Sequence, residues 1–238
     1  MTEKYKIPFI VHQTFYTTNL PLEIVKIIKH NKQICPRYKF IFYNDDECAN
    51  FIKTNFDERT YNAYMMLNNC YGAMKADFFR YCVLYKIGGV YLDIKSKINI
   101  PLALIISPED SCILDIPRNN FEPWRKNSPT YEQWLLMFEP NHPYLNEMIQ
   151  QMVTNIENKY EPQIPGYKIL TSKQKILQLT GPDALARAIN KCITNKIVKH
   201  RNIDYNKYFT ITFKNYISMM YITKKHYSQY NEPLYKQT

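Results

Sequence analysis

The chain predicts a single α/β domain spanning 1–238, with a Rossmann-like, mostly parallel sheet flanked by helices. Three observations carry that prediction. Short apolar runs suited to buried strands alternate with stretches of helical apolar spacing, in the order strand, helix, strand, helix, strand, which is the pattern of a layered fold with parallel strands. The length of 238 residues fits one large domain, and no internal repeat, low-complexity tract or linker divides it. A content of 45% hydrophobic and 22% charged residues supplies a packed core.

The elements follow in order. Ile7–His12 (IPFIVH), entered through Pro8, reads as a buried strand. Leu22–Lys29 has helical spacing after Pro21, a residue that suits a helix start. Tyr38–Tyr43 (YKFIFY) is the second strand, and NDDE after it reads as a turn and helix cap. Helical segments continue to about residue 86, and Val90–Ile94 is the third strand. Farther on, Asn146–Asn158 and Gly181–Lys191 read as helices, and Tyr208–Phe213 alternates like a strand. Ligands of such sheets gather beyond the carboxyl ends of the strands, where His12–Thr14, Asn44–Asp46 and Asp93–Ser96 fall.

Composition narrows the class of function. A net charge of +10 suits an acidic partner such as a phosphorylated small molecule. The lysines are scattered, with Lys224–Lys225 only a doublet, and they form no nucleic-acid module, so no nucleic acid is expected. Six cysteines show neither CxxC nor metal-ligand spacing, there is no N-x-S/T acceptor, and no segment has signal-peptide or membrane-spanning character. These features predict a cytoplasmic setting with at most peripheral membrane contact. Few glycines with abundant Lys, Asn, Ile and Tyr suggest an A/T-rich genome, as in a large DNA virus, a bacterium or a protist, and so host cytoplasm or virion if viral.

The informative block is Gly72–Ser96, GAMKADFFRYCVLYKIGGVYLDIKS. Ala76, Phe79, Val83 and Ile87 give one buried helical stripe, with Asp77 and Arg80 one turn apart beside it. Gly88 suits a left-handed helix end, and Gly89 a tight reversal. In the strand that follows, Tyr91, Asp93 and Lys95 alternate to one side. Taken singly, Asp77 and Arg80 also fit a surface pair and Asp93 a turn residue. Together they bring two carboxylates and a guanidinium to one edge.

This block resembles the sugar-binding DXD segment of glycosyltransferase family 32, roughly A-x-x-S/A-D-x-x-R-y-x-x-L-y-x-x-G-G-x-Y-x-D-x-D. Ala73, Ala76, Asp77, Arg80, Tyr81, Leu84, Tyr85, Gly88, Gly89, Tyr91 and Asp93 stand in their places. IPFIVHQTF is similar to the family's IPKIIHQTW, FEPNHPYL to its APxHPxL segment and TGPDAL to its TGP element. The resemblance implies a GT-A fold and transfer of a sugar from a UDP- or GDP-sugar to a glycan, lipid or protein acceptor, with retention of anomeric configuration. It assigns Asp77 to hydroxyls of the donor sugar, Arg80 to sugar or diphosphate, Tyr91 to support of the diphosphate, and Asp93 to ribose and metal. His12, Gln13 and Thr14 would lie near the nucleotide. ITKKHYSQY loosely resembles the closing H-x-x-x-S-W element, which makes His226 a metal candidate and Ser228 and Tyr230 donor-binding candidates, although the spacing departs and the tryptophan is absent. Trp124, Trp134 and His142 are candidates for an acceptor pocket, and both tryptophans equally fit plain core packing. Asp115 either reaches the acceptor side or caps a turn before Pro117.

The departure from the family pattern is Lys95, which stands where the last DXD carboxylate ligates Mn²⁺ or Mg²⁺. A protonated lysine repels such a cation. The first reading is that its ammonium meets the diphosphate and partly takes over the stabilisation of the leaving group. The alternatives are a weakened metal site on Asp93 with distant groups, or a catalytically inactive module that binds nucleotide-sugar or glycan.

Overall fold

A computed structural model describes residues 4–117, 130–164, 166–195, 198–211 and 230–236. The first strand, β1 (Ile10–Thr14), starts three residues later than the apolar run. Pro8 cannot donate to a ladder, and the Ile10 N–H turns back onto the Pro8 carbonyl at 2.8 Å, so pairing begins only with the Phe9 carbonyl, which accepts from the Lys39 N–H at 2.9 Å. Helix α1 (Leu22–Ile34) follows, then β2 (Lys39–Tyr43). Helix α2 (Asp45–Asn55) opens with a capping box: the Glu47 N–H donates to the Asn44 side chain and the Asn44 N–H to the Glu47 carboxylate, as NDDE predicts. Next come α3 (Glu58–Met66), α4 (Gly72–Ile87), β3 (Gly89–Leu92) and β4 (Ser96–Ile98). A 3₁₀ turn (Leu102–Leu104), β5 (Cys112–Asp115), β6 (Leu135–Phe138), α5 (Pro143–Glu157), α6 (Ser172–Leu179) and α7 (Pro182–Thr194) lead to β7 (Arg201–Ile203), the short α8 (Tyr205–Tyr208) and β8 (Phe209–Ile211).

Six strands pair in the order β2-β1-β3-β6-β5-β7, and only β6 runs against the others. The predicted α/β class and mostly parallel sheet are therefore present. One face carries α2 to α7 over a core that includes Phe78, Phe79, Tyr91 and Phe138. The other carries α1, the 3₁₀ turn and the antiparallel β4–β8 ribbon over Val11, Val90, Leu92 and Phe209. Buried Asn31 of α1 stands in for a strand partner: its Nδ2 donates to the Ser96 carbonyl and its Oδ1 accepts from the Ile98 N–H, both at 2.9 Å.

The middle of α4 departs from the expected single stripe. Residues 77–84 are all buried, charged members included, because the helix is packed between the sheet and α5. A helix covered on every side has no surface face on which an ordinary ion pair could sit. The chain then turns from α4 into β3 through Gly88 (φ 72°, ψ −167°) and Gly89 (φ 98°). The ψ of Gly88 lies outside the left-handed helical well expected for it, in a region that only glycine occupies readily. A Cβ on Gly88 would come within 2.6 Å of Pro140 Cδ, and one on Gly89 within 2.6 Å of the Ile10 carbonyl oxygen.

That double constraint predicts that Gly89→Ala destabilises the protein by more than about 2 kcal/mol in urea unfolding. Gly72→Ala, whose Cβ meets nothing within 4 Å, shifts stability by less than about 1 kcal/mol. Equal effects would contradict the close approach of β3 to β1.

Candidate functional site

The site lies where β3 leaves the sheet. Leu92 is the last strand residue, the Asp93 N–H donates to the Trp134 carbonyl at 2.7 Å, and the Ser96 N–H closes a turn on the Asp93 carbonyl at 2.8 Å. Lys95 therefore sits within a turn, and its direction is set by that turn rather than by the strand alternation read from the sequence. The ladder stops because Ser96 already belongs to β4, which pairs with β8 outside the main sheet. Among the described residues Lys95, partly exposed, forms no ion pair.

Asp77, Arg80 and Asp93 meet above that turn. Arg80 Nη2 lies 3.3 Å from Asp77 Oδ1 and 3.4 Å from Asp93 Oδ1, and Nη1 donates to the Gln133 carbonyl at 2.8 Å. The guanidinium carbon sits 4.6 Å from the centre of the Tyr91 ring. The side chains of Asp77 and Arg80 are 10% and 8% exposed and that of Asp93 is 25%, so Asp93 is the member open to a ligand. Thr180 Oγ1 donates to the other Asp77 oxygen at 3.0 Å, while Tyr81 Oη donates to the Thr180 carbonyl and Gln133 Nε2 to Tyr81 Oη. Thr180 and Gln133 went unassigned in the sequence. Thr180 begins the TGP element, whose Gly181 brings α7 so close to α6 that a Cβ there would meet Leu177 Cα at 2.6 Å.

Burial acts differently on the two partners of the pair. It pushes the Asp77 carboxyl up to about 6, against the pull of Arg80 and the Thr180 hydroxyl. Burial also disfavours the Arg80 cation, but Tyr91, Asp77 and Asp93 together outweigh it, so Arg80 stays charged. The site is thus a fixed cation flanked by one carboxylate that titrates near neutrality.

The first-strand candidates divide. Thr14 Oγ1 shares a hydrogen bond with Tyr91 Oη at 2.9 Å, and Gln13 Nε2 donates to the Leu92 carbonyl at 3.4 Å, so both brace the end of β3. His12 is wholly buried, with Nε2 against the Gly88 carbonyl at 3.0 Å and Nδ1 against Tyr43 Oη at 3.2 Å. Donation from Nε2 to the carbonyl leaves Nδ1 to accept from Tyr43, so the ring is neutral and locks β1 onto the α4–β3 turn. Tyr230 reaches the N-terminal end of α4: its carbonyl accepts from Ser172 Oγ at 2.7 Å and its ring packs on Tyr71. His226, Ser228, Lys224, Lys225 and Trp124 lie outside the described residues.

Of the two readings for Asp115, the structure shows a backbone-capping contact: it is buried at the end of β5 and its Oδ1 accepts from the Tyr205 N–H at 2.9 Å, at the first turn of α8 behind the N-cap Asp204. His142 follows β6, the reversed strand, and lies at the opposite end of the sheet from Asp93, where its Nδ1 accepts from the Tyr144 N–H. Trp134 does stand beside Asp93, with its ring packed on Tyr205 and Phe209.

Among the described residues no three His, Cys, Asp or Glu side chains converge as a metal site. Both Asp77 oxygens are engaged, and the exposed Asp93 carboxylate faces a guanidinium. Mn²⁺ and Mg²⁺ take about six oxygen ligands, so this donor set does not by itself fit either ion.

Comparison with known proteins agrees with this architecture. Residues 21–111 match the family model described as the glycosyltransferase sugar-binding region containing a DXD motif. Inositol phosphoceramide mannosyltransferase 3 of Schizosaccharomyces pombe is 28% identical over 150 residues, 61% of this chain and 37% of that protein. An uncharacterized glycosyltransferase of Acanthamoeba polyphaga mimivirus is 36% identical over 91 residues, 37% of this chain and 35% of that one. The chain thus spans about two fifths or less of the length of these relatives. Among solved structures, the UDP-bound glycosyltransferase domain of the YGT toxin superposes with a TM-score of 0.53 at 11% identity, covering 83% of this chain and 80% of that one. PaToxG glycosyltransferase gives a TM-score of 0.52 at 16% identity, with 80% and 73% covered. The fold is GT-A.

The titrations set a pH dependence of stability. Burial lowers His12 and His142 to about 4; the Gly88 carbonyl opposes this for His12, and His200 adds to it for His142. Each contributes stability that is complete above its unfolded value of 6.5 and lost as pH falls towards 4. Asp77 does the reverse: its contribution is complete below 3.8 and lost as pH rises through about 6. Two histidines outweigh one aspartate, so urea unfolding shows a net loss on the order of 3 kcal/mol between about pH 7 and pH 4.5. Asp77→Asn removes the opposing contribution and makes that loss steeper. A stability that rises on acidification would contradict the burial of these histidines.

Proposed function

We propose that this chain, a member through residues 21–111 of the glycosyltransferases with a DXD-containing sugar-binding region, moves a sugar from a UDP- or GDP-sugar to a glycan, glycolipid or protein acceptor with retention. The observation that carries the reading is the Asp77–Arg80–Asp93 unit, a buried pair with a partly exposed carboxylate, at the carboxyl end of β3, the edge where parallel sheets hold their ligands. The mannosyl group in several relatives' names makes mannose the first donor sugar to test.

Each residue has a task in this reading. Asp77, ionised above about pH 6, keeps a second lone pair on each engaged oxygen and with these accepts hydrogen bonds from hydroxyls of the donor sugar. Arg80 supplies fixed positive charge, held by Gln133 and Tyr91 so that no reorganisation is needed when charge develops on the leaving diphosphate. Asp93, the exposed carboxylate, takes the ribose. The ammonium of Lys95 meets the diphosphate from the turn below and acts where other DXD enzymes use a metal. A cation fixed to the chain opposes the departing negative charge as a bound ion would, and no step is assigned to Mn²⁺ or Mg²⁺. Retention follows from the family resemblance, and no residue is assigned as a nucleophile. Lys95 also favours a second reading, a binding module without turnover, which differs in releasing no nucleoside diphosphate from the donor.

A thermal-shift screen of UDP-, GDP- and CMP-sugars, each with Mn²⁺ and with EDTA, tests the assignment. One donor at about 100 times its Kd stabilises the protein by about 2.7 kcal/mol in EDTA. Lys95→Asp, which restores the second carboxylate, makes that stabilisation depend on Mn²⁺. Stabilisation of the parent protein only with Mn²⁺ would overturn the role of Lys95. A donor that binds without hydrolysis or transfer would leave the inactive module.

A further inference from the structure

A cavity of about 600 Å³ lies between α1 and the outer strand β2, on the face away from the Asp77–Arg80 pair. That volume falls in the range of roughly 300–1,000 Å³ that holds small-molecule ligands. Leu20, Val25, Ile28 and Phe42 supply an apolar lining, and Lys29 and Lys32, one turn apart on α1, stand exposed at its rim. Among the described residues neither lysine forms an ion pair. Leu22 and Val25 on the same helix are 62% and 44% exposed, an uncovered apolar patch next to unpaired positive charge.

An apolar slot, exposed aliphatic side chains and unpaired lysines make one complementary pattern: a hydrocarbon chain attached to an anion. We propose that the groove takes one acyl chain of an anionic membrane lipid, with Lys29 and Lys32 at the lipid phosphate, and that α1 thereby seats the protein on the membrane surface. Amphipathic helices bind in this way, with apolar residues at the acyl boundary and lysines at the headgroups. No helix among the described residues is long and apolar enough to cross a membrane, and the contact proposed for α1 is interfacial. The wall the groove shares with the donor edge is Gln13, whose Nε2 donates to the carbonyl of Leu92, the residue before Asp93. A membrane-seated α1 thus places the donor edge close to the lipid surface. The lipid site stands independently of whether sugar is transferred.

Co-sedimentation with vesicles of phosphatidylcholine, and of equal parts phosphatidylcholine and phosphatidylserine, tests the charged half. The parent protein partitions onto the mixed vesicles, and the double variant Lys29→Glu, Lys32→Glu partitions at least about 30-fold less. The apolar half is read with Val25→Trp, whose added fluorescence is quenched when the vesicles carry brominated acyl chains. Because all three positions are exposed, the variants keep the parent's thermal midpoint and its response to nucleotide-sugars, so loss of lipid binding is separable from loss of the donor site. Equal partitioning of parent and double variant, equal binding to uncharged vesicles, or no quenching at position 25 would each overturn the proposal. No vesicle binding at all would overturn it too and leave the groove to a protein partner.

Discussion

The site is organised around one buried cation. Arg80 lies in the middle of a helix that is covered on every side, and a guanidinium in such a place is tolerable only when its charge and donors are met. Asp77, Asp93, the Gln133 carbonyl and the Tyr91 ring meet the charge and both Nη groups, leaving only Nε without a partner among the described residues, and they come from α4, the end of β3 and the entry to β6. Leaving a buried charge without its partner costs roughly 3–5 kcal/mol, so the pair fixes the relative placement of α4, the end of β3 and the entry to β6. Thr180 extends the network to the α6–α7 junction through its bond to Asp77. What holds the fold at this edge is also the charge that the proposed function puts to use.

The opposite end of α4 shows the same economy with neutral groups. The Gly88–Gly89 reversal brings β3 against β1 so tightly that side chains there are excluded, and His12 ties the reversal to the first strand from within the core. A histidine at the beginning of a ligand-edge segment looks functional in a sequence. In the structure its neighbours claim both nitrogens, and its effect on the site is through the position of β3.

Much of this was legible in advance because local rules and tertiary packing agree over the first half of the chain. The NDDE cap, the α4–GG–β3 connection and the parallel β1–β2–β3 core lie where alternation and turn chemistry put them. The misses have physical causes. The burial of Asp77 and Arg80 depends on α5 and α6, which no spacing within α4 reveals. Thr180 sits 103 residues from its partner Asp77, and only the TGP element hinted that its junction is close-packed. The strand itself is shorter than the apolar alternation suggests, ending at Leu92, where the backbone leaves one sheet for another, so Lys95 stands in a turn and not in the strand. His142 reads as a candidate for an acceptor pocket because nothing in the run before it shows that β6 is reversed and carries it away from Asp93.

In the proposed reading, fixed side-chain charge, rather than a cluster of metal ligands, receives the diphosphate of the donor. The most direct measurement is a crystal structure of the protein grown with its stabilising nucleotide-sugar in EDTA. The account predicts density with sugar hydroxyls on Asp77 and the diphosphate in contact with Lys95 and the Arg80 edge. Density for the donor in the α1–β2 groove, or a diphosphate ordered only when Mn²⁺ is added and bound without Lys95, would contradict it.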